Sequence, residues 1–206
     1  MVKKVLIVWA HPREDSLTSK VVATVRDELV RYSFVVSERD LYRSKFDAAL
    51  LQKDEPDWGE IDKIYSSEVL LLKNELLSQD ALFFVFPVWW YSFPAIMKGY
   101  IDRVFNYGIA YGGGRRLPFN KVRWIALAGE KEDAYIKRGF DTMIEHSLNK
   151  GIAGLCGADN SKVTILYNSL AEDITDCQAH YEDFFNKARE VTVELADMLT
   201  ENSHVS

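Results

Sequence analysis

Continuous apolar runs alternate with segments of helical periodicity along the chain. Residues 5–9 and 81–86 are unbroken runs of aliphatic and aromatic residues, as in strands buried on both faces of a parallel sheet. Further strands are predicted to begin at residues 33–36 and to span 122–128 and 162–166. Strands that alternate with helices indicate βαβ units. We therefore expect an α/β fold with a doubly wound, five-stranded parallel sheet of strand order 2-1-3-4-5.

Apolar residues spaced three and four apart predict the helices between these strands. The predicted helices follow Ser16 as N-cap, span 61–77, run from Pro94 to about residue 105, surround 140–148, and form a C-terminal amphipathic helix at about 180–200. The segment at about 42–60 is polar and irregular and predicts a long excursion from the sheet, with a solvated turn at 54–57. Without repeats or linkers, residues 1–206 are expected to form a single domain.

Charge and composition exclude several classes of protein. The net charge of −6 argues against a partner that is nucleic acid. Two cysteines cannot build a disulfide framework, and the histidines lack metal-ligand spacing, so no metal site is predicted. The longest apolar runs are far shorter than the roughly 20 residues that span a bilayer. We expect a cytoplasmic protein that is not a membrane protein.

The turn after the first predicted strand has the features of a phosphate site. It joins a buried strand to a helix N-terminus, where free N–H groups and the helix dipole favour an anion. Hydroxyl groups of Ser16, Thr18 and Ser19 add donors, and His11 lies where the strand ends. The alternative is simple capping by Ser16 with His11 in solvent. No G-x-G-x-x-G or Walker A pattern is present, which argues against a dinucleotide Rossmann site or a P-loop.

The turns after the third and fourth strands should meet the first turn at one edge of the sheet. The third strand ends in three consecutive aromatic residues, 89–91, between two prolines, which suits stacking against a flat heteroaromatic cofactor better than core packing. After the fourth strand, Gly129 permits close approach of a ligand to the backbone. The charges at 130–133 predict a solvated turn.

These turns resemble the NAD(P)H:quinone oxidoreductases of flavodoxin-like fold, the DT-diaphorase-like family. The resemblance rests on the opening KVLIVWAHPREDSLTSK, the stretch ALFFVFPVWWYSFPAIMKGYIDRVF from Ala81, Ala110-Tyr111, and LPFNK from Leu117. It implies a homodimer with a flavin in each of two sites at the subunit interface. It also implies a ping-pong cycle in which hydride passes from NAD(P)H to the flavin and then to a quinone.

The resemblance also implies roles for individual residues. The implied flavin-phosphate contacts are His11, Ser16 and Thr18, with Ser19 beside them. The implied contacts to the isoalloxazine ring are Pro87, Val88, Trp89 and Trp90. Tyr111 would lie over the substrate, and Tyr135 matches a catalytic tyrosine of the family.

Three departures from the family pattern concern the substrate and the proton relay. The family's Thr-Thr-Gly-Gly turn is replaced at 127–130, and glycines at 112–114 replace a more aromatic loop. Asp141 stands where vertebrate members have a histidine. Either Asp141 is buried, protonated and a proton donor, or it points to solvent while N–H groups near Gly129 stabilise the charge. We favour the second.

The cofactor and the class of activity carry alternatives. Residues 53–76 resemble the segment that reaches toward adenosine in FAD-binding members, which favours FAD, with FMN as the alternative. NAD(P)H is the expected co-substrate and a quinone the expected acceptor. Some relatives attach to potassium-efflux channels, so a flavin-binding ancillary subunit of a transport system, with peripheral membrane association, is the alternative function. A one-electron carrier is disfavoured.

Overall fold

The computed structural model describes residues 2–201, which contain one parallel sheet of five strands. The strands are β1 (Lys4–Trp9), β2 (Val35–Asp40), β3 (Ala81–Pro87), β4 (Lys121–Leu127) and β5 (Asn160–Leu166), in the order β2-β1-β3-β4-β5. The predicted fold class and strand order are confirmed. Because the chain leaves β1 in one direction to form β2 and returns on its other side to form β3, the strand order switches between β1 and β3. Ligands of such sheets bind beyond the carboxyl ends of the strands at this point.

Six α-helices cover the two faces of the sheet within the described residues. They are α1 (Leu17–Arg31), α2 (Ser67–Leu77), α3 (Ala95–Val104), α4 (Glu132–Arg138), α5 (Phe140–His146) and α6 (Cys177–Glu201). Helices α1 and α6 pack together on one face, and α2, α3 and α5 lie on the other. The second face is filled by aromatic packing, including a stack of Phe84 on Trp124 with ring centroids 4.4 Å apart. Between residues 2 and 201, no helix is both long and apolar enough to cross a membrane.

Three elements differ from their predicted bounds. The helix predicted over 61–77 begins at Ser67, because Ser66 caps it by accepting a hydrogen bond from the Val69 N–H. The second strand begins at Val35 rather than at 33, after a left-handed residue at Ser33. Helix α4 was missed, because its charged first turn is typical of a solvated loop. A left-handed Gly139 separates it from α5.

The excursion, predicted at about 42–60, extends from Tyr42 to Ser66 and is irregular except for one 3₁₀ turn (Gln52–Asp54). It folds back tightly against α3. A Cβ placed on Gly99 would lie 2.2 Å from the Ala48 carbonyl oxygen, so only glycine permits this approach. The prediction of a solvated turn at 54–57 is wrong at its first position, because Asp54 is completely buried.

Candidate active site

The turn after β1 holds the N-terminus of α1 open toward the edge of the sheet. Ser16 caps the helix, since its Oγ accepts a hydrogen bond from the Ser19 N–H at 3.1 Å, while the Ser19 Oγ donates to the Ser16 carbonyl at 2.7 Å. The N–H groups of Leu17 and Thr18 lie in the first turn, where a helix offers no internal acceptor. Capping by Ser16 and an anion site at the same turn are therefore compatible.

The alternative to a phosphate site placed His11 in solvent, but the His11 ring is held by the main chain of the turn. Its Nδ1 lies 3.1 Å from the Arg13 nitrogen and 3.2 Å from the Arg13 oxygen, so the main chain fixes the ring. Arg43 also stabilises the turn, because it donates to the carbonyls of His11 and Pro12 and pairs with Asp40 at 2.6 Å. Burial, and then the charges of Arg13 and Arg43, lower the pKa of His11 below its ordinary value.

The aromatic turn after β3 contains two strained residues. The Trp89 N–H donates to the Ser92 carbonyl at 2.9 Å and the Ser92 N–H donates to the Trp89 carbonyl at 3.1 Å. Between them Trp90 and Tyr91 both have left-handed backbones, with φ of 52° and 56°. Such two-residue turns normally use Gly, Asn or Asp. Strain of about 1–3 kcal/mol for each such residue persists where the surroundings fix it, and it clusters at functional sites.

Packing on one side of this turn offsets the strain. The Tyr91 ring stacks on Phe140 at 3.7 Å and meets the Tyr135 ring at 5.9 Å. Trp90 lies on the other side and is 95% exposed. The turn is therefore anchored by Tyr91 while it presents tryptophan outward.

A cleft of about 310 Å³ lies between these two turns, and we call it the switch-point cleft. The His11 and Trp89 rings approach each other there, with centroids 6.4 Å apart. Its lining residues are His11, Arg13, Leu17, Thr18, Pro87, Val88, Trp89, Leu127, Gly129, Ser169 and Leu170. Most of the residues predicted for the cofactor thus meet in one cleft. Of the others, Ser16 and Ser19 form the cap beneath it, and Trp90 does not line it.

Sequence reasoning missed the loop after β5, which supplies Ser169 and Leu170 to this cleft. The Asn168 N–H donates to the Glu130 carbonyl and the Ser169 N–H to the Ala128 carbonyl, both at 2.8 Å. These bonds attach the loop to the turn after β4. The predicted strand order could have indicated this loop, because β5 neighbours β4 and both strands end at the same edge of the sheet.

The residues predicted for the proton relay lie together beside the cleft. Tyr135 is buried in α4 among Tyr91, Phe140 and Tyr167, and burial raises its pKa to about 12. Asp141 is half-buried in the first turn of α5. Its Oδ1 is buried and makes no hydrogen bond to any described residue. Burial and then the Asp141 charge raise the pKa of Tyr167 to about 12.

Tyr111 occupies a second, separate cavity of about 340 Å³, which we call the Trp58–Tyr111 cavity. Trp58 from the excursion packs against Tyr107 and Tyr111 with ring centroids 5.1 and 6.3 Å away. The remaining walls come from Leu50 and Pro56, the end of α3, and the π-helical segment Ser147–Gly154 with Leu155 and Cys156. Within one chain the structure does not bring Tyr111 to the switch-point cleft. No residue of the excursion lines that cleft in the described chain either.

Comparison with known proteins agrees with this geometry. A family model described as a flavodoxin-like fold matches residues 3–190. A protein of Escherichia coli (strain K12), named "Uncharacterized NAD(P)H oxidoreductase YcaK", is 43% identical over 190 residues, which cover 92% of this chain and 96% of that protein. A solved NAD(P)H:quinone oxidoreductase from Methanothermobacter marburgensis has a TM-score of 0.84 at 27% identity, with 95% of this chain and 96% of that chain covered.

A more distant structure shares the fold alone. It is an FMN-dependent NADH-azoreductase from Bacillus anthracis in complex with FMN, with a TM-score of 0.66, 17% identity, and 94% of this chain and all of that chain covered. The family model and the E. coli relative each extend over most of the sequence. The chain belongs to the flavodoxin-like family of NAD(P)H oxidoreductases and quinone reductases.

Proposed function

We propose that this protein is a flavin-dependent NAD(P)H oxidoreductase that transfers two electrons to quinones or related electrophiles in a ping-pong cycle. The observation that carries the proposal is the switch-point cleft, in which a helix N-terminus faces the aromatic turn. The names of the E. coli and Methanothermobacter relatives support the use of NAD(P)H and a quinone. The cleft and the turns around it contain the groups that a flavin needs at both of its ends.

The residues of the cleft fit a flavin. At one end, the Leu17 and Thr18 N–H groups, the Thr18 hydroxyl and His11 would hold a phosphate group. At the other end, Trp89 is 41% exposed and offers a ring face for stacking. The N–H of Gly129 makes no hydrogen bond within residues 2–201, so it can stabilise negative charge that develops on the ring. A bound flavin supplies hydride acceptance from NAD(P)H and hydride donation to the acceptor.

We infer that Tyr135 keeps its proton throughout, since burial raises its pKa to about 12. A protonated phenol beside the cleft can donate a hydrogen bond to a developing anion without losing its proton. The buried Oδ1 of Asp141 lies in the same cluster and makes no hydrogen bond to a described residue. We propose that Asp141 takes the place in this cluster that a histidine has in the vertebrate members of the family.

A homodimer would unite the two cavities. Trp90 is an almost fully exposed tryptophan on a strained turn, and Tyr111 lies in a cavity away from the cleft. If a partner's Trp58–Tyr111 cavity faces the switch-point cleft, both features become parts of one site. The helix at 100–105 is less suitable as a dimer interface, because Tyr100, Val104 and Phe105 are buried inside the chain.

FAD remains the proposed cofactor, with FMN as the alternative. No described residue of the excursion lines the cleft of its own chain, so a contact with adenosine requires the excursion of a partner chain. FMN in the azoreductase of the same fold supports the alternative. The mass of the cofactor released by denaturation separates the two.

Turnover separates an enzyme from an ancillary subunit. We expect the purified protein to oxidise NADPH rapidly when menadione is present and slowly when it is absent. A protein that binds flavin but shows no stimulation by menadione would favour the ancillary role. Recovery of the protein with a membrane fraction would then support peripheral association, whereas recovery in the soluble fraction would support the proposed cytoplasmic location.

Replacing Trp89 is expected to weaken flavin binding by up to about tenfold. Trp89→Ala removes the stacking surface of the cleft, and aromatic stacking contributes about 0.5–1.5 kcal/mol beyond buried area. Fluorescence titration of the apoprotein with flavin measures the dissociation constant. Trp89→Phe, which keeps an aromatic face, should recover most of the affinity. An unchanged constant in Trp89→Ala would remove Trp89 from the cofactor site.

Flavin affinity is expected to depend on pH through His11. In the free protein the His11 pKa is below its ordinary value of about 6.5, and a bound phosphate group would raise it. A pKa higher in the complex means that binding takes up a proton, so affinity should increase as pH falls through the pKa of the complex. The affinity should stop increasing once the pH is below the lowered His11 pKa of the free protein. Titrations from pH 5 to 8 measure this.

His11→Gln is the control for that pH dependence. It removes the titrating ring and keeps a hydrogen-bond donor, so any remaining slope belongs to the phosphate itself. Identical pH profiles for the two proteins would show that His11 does not contact the phosphate.

A further inference from the structure

A buried carboxylate joins the excursion to the body of the protein. Asp54 is completely buried, and its carboxylate accepts hydrogen bonds from the Ser66 N–H at 2.7 Å, the Ser66 hydroxyl at 2.8 Å and the Arg103 guanidinium at 3.1 Å. Its main-chain oxygen accepts a further bond from Asn106 Nδ2 at 2.7 Å. One residue thus connects the excursion, the N-cap of α2, helix α3 and the segment after α3.

Arg103 extends this network within the same buried region. The side chain of Arg103 is 2% exposed, and its guanidinium pairs with Glu68 at 2.7 Å as well as with Asp54. It also donates to the Asp47 carbonyl and lies over the Phe46 ring at 5.2 Å. A buried charge is costly unless it is paired, so Asp54 and Arg103 depend on each other, while Glu68 is 44% exposed and pairs with Arg103 from the surface.

The network continues directly to the aromatic wall of the Trp58–Tyr111 cavity. Asn106, held by Asp54, accepts a bond from the Tyr107 N–H at 2.8 Å, and the Tyr65 hydroxyl donates to the Tyr107 carbonyl at 2.7 Å. The Gly108 N–H then donates to the Tyr111 carbonyl at 2.8 Å. The excursion that carries Trp58 and the main chain that carries Tyr111 are therefore both fixed to Asp54. Its carboxylate binds Ser66 and Arg103, and its main-chain oxygen binds Asn106.

We propose that Asp54 is a positioning residue for the electron acceptor, because it holds Trp58 and Tyr111 as two walls of one cavity. The proposal rests on the proposed function and on a homodimer in which a partner's Trp58–Tyr111 cavity faces the switch-point cleft, so that this cavity receives the acceptor. Asp54 does not touch the acceptor. It fixes the separation of the aromatic walls, so its loss should affect acceptors that need the cavity and spare those that do not.

The variant Asp54→Asn tests this. The amide nitrogen that replaces one carboxylate oxygen would face a donor on Ser66 or Arg103. The side-chain hydrogen bonds of residue 54 to Ser66 and Arg103 should therefore be weakened, while the volume of the side chain hardly changes. At saturating NADPH we expect kcat/KM for menadione to fall at least tenfold, mainly through KM. The rate with ferricyanide, which accepts electrons without a fitted pocket, should change less than twofold, and flavin content should be unchanged.

Asp57→Asn is the matched control in the same excursion. Asp57 is exposed and its side chain bonds only to the Gly59 N–H among the described residues, so this variant should keep the wild-type menadione kinetics. Equal loss of menadione and ferricyanide activity in Asp54→Asn, or loss of flavin, would overturn the positioning role. Unchanged menadione kinetics in Asp54→Asn would overturn it as well.

Hydrogen exchange tests the connection without any activity. Amides at 54–66 and 106–113 should exchange at least tenfold faster in Asp54→Asn, while amides of β1 and β3 keep their protection. If Asp54→Asn does not fold, Glu68→Gln, which removes only the second carboxylate partner of Arg103, should show the same pattern to a smaller degree. A wild-type protein without NADPH oxidation would refute the proposed function, whereas unchanged exchange at 106–113 would refute the link from Asp54 to Tyr111.

Discussion

A carboxylate at position 18 is expected to abolish flavin binding. Thr18 lies in the first turn of α1 and lines the switch-point cleft. In Thr18→Asp a negative charge would stand about 4 Å from the proposed phosphate, a repulsion of about 4 kcal/mol near a protein surface. That corresponds to more than about a hundredfold loss of affinity. Thr18 is 2% exposed, so a carboxylate there also costs folding free energy. The favourable interaction of aspartate with the helix N-terminus, about 0.3–1 kcal/mol, offsets only part of that cost.

Thr24→Asp, two turns further along the same helix, is the control for Thr18→Asp. It adds the same charge to α1 outside the cleft, so the flavin dissociation constant should stay within about threefold of wild type, or about 0.7 kcal/mol. Thermal unfolding of both variants separates lost binding from lost structure. Wild-type affinity in a folded Thr18→Asp protein would show that no phosphate binds at this helix N-terminus.

Gly99→Ala is expected to have the largest effect on stability. The new Cβ would lie 2.2 Å from the Ala48 oxygen and 2.6 Å from the Ala48 Cα, and both belong to the main chain of the packed excursion. The excursion must move away, and overpacking of this kind costs about 3 kcal/mol. Chemical denaturation measures the change in the free energy of unfolding.

Gly151→Ala shows what a methyl group does without a clash. A Cβ at Gly151 meets no atom within 4 Å, so this variant should be neutral or more stable by up to about 1 kcal/mol. Equal stabilities of the two variants would mean that the excursion does not press against α3.

The sheet was predictable because each strand is signalled by its own residues. Continuous apolar runs mark β1 and β3, and their alternation with helices leaves few topologies. The first residue of α2 was harder to predict. Ile64 and Tyr65 continue a helical spacing in the sequence, but Tyr65 is used instead to bond the Tyr107 carbonyl. That contact joins residues 42 positions apart, and local periodicity contains no information about it.

The site was predictable as far as it follows from the sheet. His11, Pro87 and Gly129 meet because parallel strands end at one edge, which the strand order alone requires. The left-handed backbones of Trp90 and Tyr91 oppose local preference, so no propensity could indicate them. Asp54 looked like part of a solvated turn, because its partners Ser66 and Arg103 approach only in the folded chain.

The proposed activity is tested most directly by anaerobic titration of the purified protein, followed through the visible absorption band of oxidised flavin. We expect the protein to carry bound flavin, the band to bleach on addition of NADPH, and the band to return in full when menadione is added. Absence of flavin from a folded protein that also fails to bind added FAD or FMN would contradict the account. A flavin band that NADPH leaves unchanged would contradict it equally.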